Sequence, residues 1–121
     1  VKEKYGHEFL FITEYPWSVR PFYHMKTKDG NHTKSYDLVW KGLEITTGAQ
    51  REHRPEILKN QAIEKGLHLE VLEDYINFFK YGCPPHGGFG FSPTRLLMLM
   101  LDIKNVREVT FLPRDTERLR P

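Results

Sequence analysis

The sequence predicts an α+β fold, an antiparallel β-sheet flanked by helices. Three observations carry this: runs of β-branched and aromatic residues fill the first half, two glycine-closed helical stripes follow, and a glycine-rich segment then opens an apolar helix. Glu8 to Tyr15 (EFLFITEY) reads as a strand that stops at Pro16. Phe22 to Met25 resumes as a second strand before the polar stretch Lys26 to Thr33. From Ser35 to Ala49 the pattern alternates on both sides of Lys41-Gly42, which predicts an antiparallel hairpin. With Trp40 facing Leu43, Leu38, Trp40, Leu43 and Ile45 share one face, and Asp37, Val39, Glu44 and Thr46 share the other.

Pro55 to Lys65 reads as a helix closed by Gly66, and Leu69 to Tyr81 as another closed by Gly82, each glycine suiting a left-handed cap. In the second, Val71, Leu72, Tyr75, Ile76 and Phe79 form a stripe wide enough to pack on a sheet. Pro84 to Phe91 (PPHGGFGF) carries three glycines in four positions, which would weaken an ordinary strand but allow close approach of a ligand. Ser92-Pro93 reads as the cap and first turn of a helix through Leu101, apolar nearly all round and therefore expected to be buried. Val109 to Leu112 reads as a last short strand.

Composition bounds the function. The 121 residues are 39% hydrophobic and 28% charged, enough apolar material for one core. Eighteen Lys and Arg against sixteen Asp and Glu leave a formal charge of +2, so no whole-chain polybasic footprint is present and an anionic partner must be met locally. The longest apolar run, Leu96 to Leu101, is six residues, far below the roughly 18 of a bilayer span. The single cysteine, Cys83, excludes an internal disulfide framework and fits a reducing compartment, the cytoplasm. The chain opens on Val1 rather than Met, and it is expected to be a piece of a longer protein.

Three constellations can carry chemistry. Asp37 and Glu44 are diagonal neighbours in the hairpin register, with Cβ atoms roughly 7–8 Å apart, a spacing that suits a shared divalent cation; taken alone, a solvated charged face is the more ordinary reading. The turn from Gly87 to Arg95 leads into a helix N-terminus that favours an anion. Arg95 in its first turn is able to clamp a phosphate, and a surface arginine beside a tight turn is the plain alternative. Thr47-Gly48-Ala49-Gln50-Arg51 continues the second hairpin strand. A bend at Gly48 would bring Thr47 to the carboxylate face, and Arg51 would point at a ligand carboxylate or an acidic neighbour. Cys83 and His86 form half of a zinc site with no second pair, so zinc is discounted.

These three segments resemble the C-terminal half of the catalytic domain of class II aminoacyl-tRNA synthetases, aspartyl/asparaginyl subclass. Ile12 to Tyr23 (ITEYPWSVRPFY) is similar to that family's ITDYP…KPFY segment. SYDLVWKGLEITTGAQREH is similar to its FDL…GLEISSGAQR segment, and GGFGFSPTRLLMLMLDIKNVREVTFLPRD to its third signature motif. The resemblance implies a partial class II catalytic core that binds ATP and Mg2+ and activates an amino acid as its adenylate. By position it makes Glu44 and Arg95 catalytic, and Glu44, Ser92, Pro93, Thr94 and Arg95 the ATP contacts. Asp37, Glu44 and Thr47 become the metal set; Thr47, Arg51 and Gly88 face the amino acid, aspartate or asparagine.

Two replacements depart from the family's GLGxER turn: Ser92 stands for a glycine and Thr94 for a glutamate. Arg51-Glu52-His53 leans to the asparaginyl pattern and Pro113-Arg114-Asp115 to the aspartyl one. This hybrid resembles archaeal paralogues that pass aspartyl-adenylate to ammonia and release asparagine, and that acceptor is the leading expectation. A tRNA-charging aspartyl or asparaginyl enzyme and a non-catalytic regulatory relative are the alternatives. The family's first motif, which builds a homodimer, and its second are expected upstream of Val1, so this segment alone is expected to be inactive.

Overall fold

The computed structural model describes residues 1–120. Its four strands, β1 (Phe9–Thr13), β2 (Ser35–Trp40), β3 (Leu43–Gln50) and β4 (Gly87–Phe91), form one sheet in the order β1-β2-β3-β4. All neighbours are antiparallel: Glu14 N–H bonds Ser35 O and Lys41 N–H bonds Glu8 O between β1 and β2. Between β3 and β4, Ser92 N–H bonds Ile45 O and Arg51 N–H bonds His86 O. The helices are α1 (Lys2–Tyr5), α2 (Pro55–Glu64), α3 (Glu73–Phe79) and α4 (Pro93–Leu101).

The hairpin forms in the expected register. Lys41 (φ 47°) and Gly42 (φ 86°) are both left-handed, the signature of the two-residue turn whose twist matches paired strands, so Trp40 faces Leu43. Asp37 then lies opposite Thr46 on the face that carries Glu44. At the far end, however, Gln50 N–H bonds Lys34 O. Lys34 to Trp40 is six steps along β2, whereas Leu43 to Gln50 is seven along β3, so β3 carries one extra residue. That residue brings the Thr47 hydroxyl onto the Asp37 carboxylate. The sequence suggests Gly48 as host of the bend, but the φ of Gly48 is not left-handed. Its hydrogen makes room for a neighbour: a Cβ there would sit 2.6 Å from the Tyr36 ring.

Several elements differ from the sequence reading. Phe22 to Met25 is no strand; only single bridges form, His24 with Arg51 and, just beyond, Lys26 with Thr33. The expected helix from Leu69 splits into a 3-10 turn (Leu69–Leu72) and α3, which starts afresh at Glu73-Asp74, where acidic side chains complement a helix N-terminus. Of the stripe, only Ile76 is buried and Val71 is 81% exposed. Val109 to Leu112 is not a strand: Asn105 caps a 3-10 turn over Val106–Val109 by accepting from Arg107 N–H. Gly66 follows the Lys65 cap of α2 with positive φ, as expected; Gly82 also has positive φ, but α3 already ends at Phe79 with Lys80 as its cap, so Gly82 does not close it.

By internal packing the described residues divide into two units, one of residues 1–11, 37–47 and 90–120, the other of 12–36 and 48–89. The second holds most of the core: Trp17, Met25, Ala49, Leu58, Ala62 and Ile76 are buried. There Trp17 donates to Glu64 Oε1 (2.8 Å), with Lys26 and Lys65 each 4.3 Å from its ring, so the end of α2 is clasped to the Trp17 turn. In the first unit the only buried hydrophobic among the described residues is Ile45. The expectation that α4 is buried fails for this reason. Helix α4 packs on the short 3-10 turn at Val106–Val109 and its start is tied to β3, yet Met100 and Leu101 are each 61% exposed.

Candidate active site

The first unit gathers the residues expected to handle phosphate and metal. Ser92 N–H bonds Ile45 O (3.0 Å), which fixes the start of α4 beside β3. The Ser92 hydroxyl caps the helix by accepting from Arg95 N–H (3.3 Å) and meets the Thr94 hydroxyl at 3.2 Å, while Pro93 supplies the first-turn φ. Arg95 Nη1 donates to Glu44 O (2.9 Å) and to Glu44 Oε1 (3.1 Å). Both side chains are close to half exposed, 44% and 42%. Such a pair is worth only about 0–1 kcal/mol, so either partner can be drawn away by a ligand of opposite charge at little cost.

Asp37 is buried at 6% exposure and accepts from the Thr47 hydroxyl at 2.5 Å. Thr46 on the same face is buried too. This end of the hairpin is therefore no open solvated face, and a covered carboxylate there demands partners. Asp37, Glu44 and Thr47 offer hard oxygen donors of the kind magnesium takes. Among the described residues no group of three or more His, Cys, Asp or Glu is placed to hold a metal, so substrate oxygens would have to complete the shell.

The second unit holds an open cleft of about 660 Å³ lined by Phe22, Tyr23, Arg51, Leu72, Tyr75, Phe79, His86 and Gly87. Arg51 lies at the end of β3, its N–H bonded to His86 O (2.9 Å), its guanidinium 4.9 Å from the Tyr23 ring centroid. No carboxylate pairs with it among the described residues. Gly88 keeps the space beside it open, since a Cβ at 88 would lie 3.4 Å from Arg51 Nε and Nη2. Burial pushes the Tyr75 phenol above its ordinary pKa, and the charge of Arg51 partly opposes this. The cleft thus combines a charged anchor with aromatic walls, which suits a small anionic ligand.

Sequence reasoning singles out Arg51 and Gly88 but misses the walls. Leu72, Tyr75 and Phe79 carry a helical period that predicts packing on the sheet. Phe22-Tyr23 reads as strand, yet a pair of aromatics straight after Pro21 is a signal that could mark a loop facing a pocket. Cys83 Sγ lies 3.6 Å from His86 Nδ1.

Comparison with known proteins agrees with this geometry. The family described as tRNA synthetases class II (D, K and N) matches residues 1–116. The aspartate–tRNA(Asp/Asn) ligase of Aeropyrum pernix is 50% identical over 120 residues, which cover 98% of this chain and 27% of that protein. Among solved structures, the aspartyl-tRNA synthetase of Entamoeba histolytica superposes with a TM-score of 0.94 at 46% identity, covering 99% of this chain and 25% of the other. The asparaginyl-tRNA synthetase of the same organism, in complex with asparaginyl-adenylate, reaches 0.85 at 32%, covering 93% and 26%. The chain spans about a quarter of the length of these relatives. With the family matched along nearly all of its length, and with strands, capped helix and arginines arranged as above, this chain belongs to the class II tRNA synthetases.

Proposed function

We propose that the full-length protein is an aspartate–tRNA ligase, in which this chain forms the C-terminal part of the catalytic domain. The observation that carries this reading is Arg51: a guanidinium with no acidic partner among the described residues, in an open aromatic-walled cleft with ample room for a small amino acid. A side-chain carboxylate meets such a group with two charge-assisted hydrogen bonds, whereas an amide offers one acceptor oxygen and two N–H groups that a donor-only arginine repels. Higher identity to the aspartyl than to the asparaginyl structure supports the same choice.

In the reaction, a carboxylate oxygen of aspartate attacks the α-phosphorus of ATP and pyrophosphate leaves; the terminal hydroxyl of tRNA then attacks the acyl carbon and AMP leaves. Arg95 exchanges Glu44 for a phosphate oxygen and neutralises charge on the pyrophosphate. The Ser92 and Thr94 hydroxyls, with Pro93 holding the turn, line the nucleotide side. Asp37, Glu44 and Thr47 would hold Mg2+, which when bound offsets phosphate charge. Arg51 and Gly88 face the amino acid. The upstream segment would supply the homodimer interface, and the cytoplasm is the expected compartment. No described helix is long and apolar enough to cross a membrane.

Ammonia as acceptor, the leading expectation from the hybrid motifs, finds less support than tRNA, because the aligned relatives are named as tRNA ligases at near 50% identity. The deciding assay gives full-length protein ATP, Mg2+ and aspartate, then ammonium or tRNA separately. Aspartyl-tRNA with no free asparagine is expected; free asparagine formed only with ammonium would overturn the reading.

A further inference from the structure

Arg51 does not hold its own position. Its side chain has no carboxylate to pair with among the described residues, and an arginine left to solvent loses several rotors' worth of entropy when it is fixed on a ligand. Two neighbours restrict it. The Tyr23 ring lies under the guanidinium at 4.9 Å, and the bare Cα of Gly88 leaves room for Nε and Nη2 that a Cβ, 3.4 Å from both, would crowd. Tyr23 is itself held tightly. Glu52 N–H bonds Tyr23 O (2.9 Å), and the buried Gln61 of α2 donates to the carbonyls on either side, Phe22 O (2.5 Å) and His24 O (3.0 Å). A loop residue with its own carbonyl and both neighbouring carbonyls tied down is a rigid platform rather than a mobile ring.

We propose that Tyr23 is a positioning residue: its ring, with Gly88 keeping the opposite approach open, presets the Arg51 guanidinium for a side-chain carboxylate and so sharpens selection of aspartate over asparagine. This rests on the reading of Arg51 as the amino-acid anchor. A fixed planar fork meets two carboxylate oxygens at once, while a wandering one accepts single contacts from either acid or amide and discriminates less.

The test uses the full-length protein in aspartate-dependent pyrophosphate exchange, with KM and kcat for aspartate and KM for ATP measured separately. Arg51→Met is run first. If it leaves aspartate KM unchanged, the anchor reading itself fails. Given a large rise there, Tyr23→Leu is expected to raise aspartate KM roughly 3- to 30-fold, the range set by loss of a cation–π contact, with ATP KM and kcat little changed. Tyr23→Phe, which keeps the ring, restores aspartate KM, and Gly88→Ala raises it in the same direction as Tyr23→Leu. In the Arg51→Met background Tyr23→Leu adds nothing further, because there is no guanidinium left to place. An aspartate KM unmoved by Tyr23→Leu, or moved equally with and without Arg51, overturns the proposal. Should Tyr23→Leu fail to fold, Gly88→Ala decides by the same comparison.

Discussion

Gly48 and Glu52 show how single residues in and just beyond β3 are fixed by their neighbours. At Gly48 the Tyr36 side chain occupies the place of a side chain, two ring atoms and the phenol oxygen lying within 2.7 Å of where a Cβ would stand. Gly48→Ala must displace that ring and is expected to cost about 1–3 kcal/mol in urea unfolding, with Tyr36→Leu recovering part of the loss if the clash is the cause. Glu52 is 1% exposed. Burial pushes its carboxyl pKa up, but hydrogen bonds from Arg54 Nε (2.8 Å), Nη2 (2.8 Å) and N–H (3.0 Å) outweigh it and hold the value below the ordinary carboxylate range. A depressed folded pKa stabilises above the unfolded value and is lost as pH falls through the folded one. Glu52→Gln should therefore cost about 1–3 kcal/mol at neutral pH, and the difference from wild type should shrink at pH values below the ordinary carboxylate range. A constant difference across that range would assign the loss to packing.

Elements show the same dependence one level up. The N-terminus of α4 is specified locally, by Ser92 accepting from Arg95 N–H and Pro93 presetting the first turn. Ser92→Ala removes the cap and is expected to cost about 1 kcal/mol. Because Arg95 sits in that same turn, pyrophosphate exchange should also show a raised KM for ATP with aspartate KM unaffected. Helix α2 acts instead through a buried side chain, since its Gln61 ties down the carbonyls of Phe22 and His24. Gln61→Leu strands both carbonyls, so a stability loss of about 1–3 kcal/mol is expected together with a raised aspartate KM. These two variants, each acting on one substrate, should separate the ATP and amino-acid effects.

At the scale of the whole molecule, the proposed function would give each unit one task of the first step, charge neutralisation on phosphate in one and amino-acid recognition in the other. Glu44→Ala and Arg95→Ala should each abolish Mg2+-dependent exchange in the full-length protein while leaving its unfolding midpoint nearly unchanged, since their half-exposed ion pair is worth little to stability. Exchange that survives both substitutions would remove them from the mechanism. The exposed apolar surface of the first unit, from Phe9 and Phe11 on β1 to Met100 and Leu101 on α4, agrees with a chain that spans a quarter of its relatives' length.

The sequence by itself determined what depends on near neighbours. Lys41-Gly42 set the hairpin register and hence the shared face of Asp37 and Glu44, because a two-residue turn allows one pairing; Ser92-Pro93 and Gly66 bounded helices through their own backbone preferences. Tertiary structure alone decided whatever depends on residues far apart in the chain. The extra residue in β3 that brings Thr47 to Asp37 is visible only by counting both strands between fixed ends. The cleft walls follow from α2 pinning the loop of Tyr23 and from α3, which carries Tyr75 and Phe79. The exposure of α4 follows from what packs against it, and an apolar stripe signals a need for cover without saying which segment supplies it.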